Sequence, residues 1–107
     1  MTNLEKRWGV LVKNLEKRFN QEITLKGILY LIGVQELNRG VQEYSREQKI
    51  NVLHVAVCKI LTPFGFYKFD KIDEDGWPHY IELKAIKKLS EKNQESLMKE
   101  AVIKYLS

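Results

Sequence analysis

Between Phe64 and Lys84 the chain reads FGFYKFDKIDEDGWPHYIELK, and six of its eleven aromatic residues fall between Phe64 and Tyr80. Strand-like alternation on both sides of Asp75-Gly76 predicts an antiparallel β-hairpin in a sequence whose other parts carry helical spacing. A two-residue turn at Asp75-Gly76 would set Phe69 opposite Glu82, an apolar side chain against a charged one. A three-residue loop, Glu74 to Gly76, pairs Phe69 with Ile81, Tyr67 with Leu83 and Lys68 with Glu82 instead. Its third position needs a left-handed residue, which Gly76 supplies. In that register Tyr67, Phe69, Ile81 and Leu83 share one face, with His79 opposite Lys71 on the same side. Phe66, Ile72 and Tyr80 fall on the other face.

Four helices are expected around the hairpin. Leu4, Trp8, Leu11, Leu15 and Phe19 recur at helical intervals and predict a first helix from about Asn3 to Asn20 with one apolar stripe. Thr2 and Glu5 have capping-box spacing at its start. A second helix is predicted after Thr24 and ends near Asn38, with Gly40 as a left-handed stop. Its middle, Ile28 to Val34, is apolar almost all round, so it is expected to be surrounded by protein, with Gly27 and Gly33 allowing close helix packing. Ser45 and Gln48 form a capping box before a third helix that Pro63 ends. Ser90 caps a fourth, from about Glu91 to Leu106, whose stripe is Leu97, Met98, Ala101, Val102 and Tyr105. The predicted fold class is α+β: a small bundle of three N-terminal helices, an antiparallel hairpin and a C-terminal amphipathic helix, in one domain spanning residues 1–107.

At 107 residues the chain is long enough to bury its own core. Its single cysteine, Cys58, excludes an internal disulfide and fits a reducing compartment. The longest apolar run, from Gly27 to Val34, falls far short of the roughly 20 residues a membrane-crossing helix needs, and the N-terminus lacks signal-peptide character. A cytoplasmic protein is the expectation. The net charge of +4 is unevenly spread: residues 63–84 carry three lysines against five carboxylates, while the two ends are basic.

Three helices, a hairpin and a trailing helix resemble the element order of winged-helix DNA-binding proteins, although no sequence motif carries that resemblance. It implies nucleic-acid binding, with Lys6, Lys13, Lys17, Lys88 and Lys92 on the basic faces of the first and last helices. Three features oppose it. The Asn38–Ser45 connection is longer than the short turn of that motif. The third helix offers chiefly Asn51 and Lys59 beyond its first turn. The wing would also present Asp70, Asp73, Glu74 and Asp75 to phosphates.

His54 and Cys58 lie four apart on the third helix and point the same way, which makes them weak candidates for a metal or small-molecule site. Glu36, Glu43 or His79 would have to complete the ligand set. His54 is otherwise expected as a hydrogen-bonded histidine in the apolar stripe, with Cys58 as a buried core residue. No Gly-rich phosphate loop, GxSxG elbow or HExxH motif occurs, so neither a cofactor nor a catalytic centre is expected.

The hairpin supplies the leading expectation. A two-stranded hairpin is marginal in water without a neighbour, and open strand edges pair unless protected. Either the fourth helix or the Ala85–Leu89 connector covers the second face and edges, or another chain does. The chain is therefore expected to be a small non-enzymatic protein acting through self-association, as a homodimer, or through a protein partner. Its expected interface residues are Phe66, Ile72, Trp77 and Tyr80.

Overall fold

The computed structural model describes residues 3–39 and 42–107. The chain is an α+β fold in the expected order: α1 (Asn3–Phe19), α2 (Leu25–Leu37), α3 (Arg46–Leu61), β1 (Tyr67–Ile72), β2 (Pro78–Glu82) and α4 (Glu91–Tyr105). Short 3-10 turns at Thr62–Phe64 and Ile86–Lys88 lead into β1 and α4.

Side-chain caps set the helix starts. Thr24 Oγ1 accepts from the Gly27 amide at 3.0 Å and begins α2. At α3 the capping box is complete: Ser45 Oγ accepts from the Gln48 amide at 3.1 Å, and the Ser45 amide donates to Gln48 Oε1 at 2.8 Å. Ser90 Oγ accepts from the Asn93 amide at 3.1 Å and begins α4. The stop of α2 differs from expectation. Asn38 itself takes the left-handed conformation, φ 51°, which asparagine tolerates better than most residues. Gly40, like Thr2 of the anticipated first capping box, lies outside the described residues.

As the all-round apolar middle of α2 predicts, that helix lies at the centre, together with α3. Ile28, Leu29 and Ile32 of α2 bury against Ala56, Cys58, Ile60 and Leu61 of α3, together with Tyr67 of β1 and Ala101 and Val102 of α4. Each fully buried Ile, Leu or Val here contributes roughly 1.5–3 kcal/mol relative to exposure. A second cluster joins Leu37, Tyr44 and Val52 to Tyr30, Val34 and Trp77. The two helices meet at Gly33, where a Cβ would stand only 2.2 Å from the Val52 carbonyl oxygen. Helix α1 is peripheral. Trp8, Leu11 and Leu15 pack partly buried against the main core, but Phe19 at the end of the stripe is 46% exposed. Arg7 donates to Glu100 at 2.7 Å and ties α1 to α4.

The hairpin register agrees with expectation near the turn and departs from it further out. Asp73 and Trp77 close a three-residue loop, Glu74 to Gly76, with Gly76 at φ +86°. Lys71 pairs with His79 as predicted, and Ile72 with Pro78. A bulge at Asp70 then shifts the register by one residue. Beyond it Phe69 faces Tyr80 rather than Ile81, Lys68 faces Ile81, and Tyr67 faces Glu82. Because side chains alternate along a strand, the slip exchanges faces on one side of the pairing. Tyr67, Phe69 and Tyr80 now share the helix-facing side. Ile81, and Leu83 two residues on, turn to the opposite side with Lys68.

Candidate functional site

The bulge redistributes the apolar surface of the hairpin. Of the four residues expected to form an interface, Phe66 and Tyr80 are partly buried against the main core. Trp77 is also held within the chain: the Arg39 guanidinium lies 5.2 Å from its ring centre and Tyr44 meets it edge-on at 6.4 Å. Only Ile72 stands well out, at 63% exposure. The apolar side chains that remain in water are Ile72, Leu83 (55%), Phe69 (48%) and Ile81 (46%). Phe69 packs its ring edge-on against Tyr80 at 5.7 Å. Ile81 and Leu83 face away from the helices; the expectation that this pair packs on them fails because the register has slipped by one residue.

Acidic side chains predominate at the hairpin tip and basic ones at its base, although Lys71 is exposed beside the tip and Glu82 near the base. Asp70, Glu74 and Asp75 are exposed at or near the tip, and Lys84, Lys87 and Lys88 are exposed at the base. The tip is ordered by Asp73. Its Oδ1 accepts from the amides of Asp75 (2.9 Å) and Trp77 (3.0 Å), and its Oδ2 bonds His79 Nε2 at 2.8 Å. The His79 bond, followed by the Trp77 amide, lowers the carboxyl pKa from its ordinary value. Among the described residues the sheet has two strands, β1 and β2.

His54 and Cys58 do come together: Cys58 Sγ and His54 Nε2 are 3.4 Å apart. Cys58 is fully buried, as expected, but His54 is exposed rather than central to the core, with its ring edge-on to Tyr67 at 6.2 Å. Burial, reinforced by the charge of Glu82, pushes the Cys58 thiol up to about 11, so it is a thiol at neutral pH and a poor nucleophile. A small cleft of about 250 Å³ places His54 near Trp77, His79 and Tyr80. Among the described residues no three His, Cys, Asp or Glu side chains are grouped to hold a metal ion. His79 is engaged by Asp73. Glu36 accepts from the Tyr105 hydroxyl at 2.5 Å and lies 3.7 Å from Lys59 Nζ.

The lysines of the nucleic-acid alternative are all exposed: Lys6, Lys13 and Lys17 on α1, Lys88 in the 3-10 turn before α4, and Lys92 in the first turn of α4. Among the described residues, no helix is long and apolar enough to cross a membrane. Comparison with protein-family models, curated proteins and solved structures finds no match to this chain.

Proposed function

We propose that this chain is a non-catalytic, cytoplasmic interaction protein whose hairpin docks onto a second copy of itself. The observation that carries this is the outward pair Ile81 and Leu83, both about half exposed on a two-stranded sheet. The charge distribution along the hairpin supports a second copy as the occupant. In a two-fold arrangement with the hairpins antiparallel, the acidic tip of one chain, Asp70, Glu74 and Asp75, lies over the basic base of the other, Lys84, Lys87 and Lys88. The same contact then forms twice, as an isologous interface requires. Ile81 and Leu83 occupy the middle, where apolar burial contributes most and the charges form the rim.

Sedimentation velocity at micromolar concentrations tests this. The expected result is a concentration-dependent dimer that weakens as salt is raised, because exposed ion pairs are screened. Replacing Ile81 and Leu83 with serine should yield a monomer with unchanged helical content. Glu74→Lys with Asp75→Lys should weaken the dimer, and adding Lys87→Glu with Lys88→Glu should restore it. A wild-type monomer across the whole concentration range would remove the proposal.

A further inference from the structure

The N-terminal halves of α2 and α3 border an open surface cleft of about 660 Å³. The half-buried Gly27, Tyr30 and Leu53 form its deeper wall, and the exposed Lys26, Arg46, Lys49 and Ile50 form its lip. No lining residue is acidic. No ion pair engages any of the three cations among the described residues. Thr24, the N-cap of α2, and Arg46, the first residue of α3, line the cleft, so the positive N-terminal ends of both helices border it. An adjoining recess of about 340 Å³ shares Tyr30 and Lys49 and is lined as well by Gln42, Glu43 and Tyr44, so its acidic side chain sets the far limit of the anion-binding region. The Tyr44 hydroxyl is buried without a hydrogen-bond partner among the described residues, a state that native structures seldom leave uncompensated.

We infer that this cleft binds a small amphiphilic anion: an aromatic or aliphatic body against Tyr30, Leu53 and Ile50, with a carboxylate, sulfonate or phosphate head drawn to Lys26, Arg46 and Lys49. Its size falls within the roughly 300–1,000 Å³ range of small-molecule sites. The apolar wall discriminates against simple ions, and the unpaired cations against neutral hydrophobes. Gly27 keeps the wall open. A Cβ there would meet Thr24 Oγ1 at 3.3 Å, so the hydroxyl that caps α2 must give by a few tenths of an ångström to admit a side chain. This site is separate from the hairpin and does not depend on self-association.

The test is titration of the full chain with anilinonaphthalene sulfonate, an aromatic anion, followed by fluorescence and by amide chemical shifts. The expected result is saturable one-site binding with the largest shifts at Gly27, Tyr30 and Leu53. Gly27→Leu should weaken binding roughly tenfold or more, and an unchanged urea midpoint and helical content of the variant separate loss of binding from loss of fold. Arg46→Glu with Lys49→Glu should weaken it similarly, and Ile81→Ser should leave it unchanged. Decanoate should displace the probe and inorganic phosphate should not. Shifts centred on the hairpin, unchanged affinity in Gly27→Leu, or displacement by phosphate as effective as by decanoate would each overturn the inference.

Discussion

Gly33 shows how one residue can govern the contact between the two central helices. An alanine Cβ at this position would lie 2.2 Å from the Val52 carbonyl oxygen and 2.7 Å from Val52 Cγ1. The first of these is backbone, so relief requires α2 and α3 to move apart. Gly33→Ala should therefore destabilise the fold by about 1–3 kcal/mol despite its better helix propensity, as overpacking does. Gly9 is the internal control. Nothing lies within 4 Å of its Cβ position, so Gly9→Ala should stabilise the fold by roughly 0.8 kcal/mol. Urea unfolding of both variants measures the opposite signs. The role of Gly33 was legible from sequence, because a glycine inside an apolar helix has few other uses. Gly27 has the same sequence context yet faces an open cleft. Position within a helix does not reveal which glycine meets a neighbour, since that depends on where the helices cross. The exposure of His54 was hidden for the same reason: four-residue spacing correctly joined it to Cys58 but did not tell which of the two faced inward.

Among the elements, helices declared themselves through caps, and the hairpin declared only its turn. Ser45 with Gln48, Thr24 and Ser90 are local signals whose hydrogen bonds span three residues, so tertiary context has little chance to override them. The loop around Gly76 is equally local. The bulge at Asp70 is not, because it serves to bring Tyr80 rather than Ile81 against the helices. Face matching between strands alone favoured the more apolar pairing, and the packing of Tyr80 on the main core outweighed it. Asp73 gives the hairpin its testable pH dependence. Its carboxyl pKa is lowered by folding, so the stabilisation it confers is present above its ordinary value of 3.8 and is lost as pH falls through the lower folded value. Amide hydrogen exchange at Trp77 should accordingly be slowest in the wild type, faster in Asp73→Asn and fastest in Asp73→Ala. The asparagine keeps an acceptor for the two amides but loses the charge that faces His79. Equal protection in all three proteins would show that the loop is held by Gly76 and its backbone bonds alone.

Across the molecule, the junction of α2, α3, α4 and the hairpin is built from phenols and one thiol whose neutral forms fit the fold. Burial leads the upward shift of Cys58, Tyr67, Tyr80 and Tyr105 alike. Glu36 adds to it at Tyr105, whose hydroxyl donates to that carboxylate, and at Tyr80 through its charge, while Glu82 does so at Tyr67 and Cys58. All four groups have folded pKa values above the unfolded ones. Their contribution is therefore complete below the ordinary values of 9.0 for the thiol and 10.0 for the phenols, and it is lost as pH rises through the folded values. In that window the unfolded chain holds fewer protons than the native one, which makes stability fall with pH. The urea midpoint should thus be flat between pH 7 and 8.5 or so and decline steeply toward pH 11, within the range where thiols and phenols titrate. Tyr105→Phe removes one of these groups and leaves the Glu36 carboxylate beside Lys59 without its phenol donor. Its midpoint at neutral pH should be lower than that of the wild type, yet its decline with rising pH should be shallower by up to one proton. A variant whose decline parallels the wild type would place the alkaline sensitivity in Cys58, Tyr67 and Tyr80, on the hairpin side of α3, and Cys58→Ala would then be the substitution that flattens it.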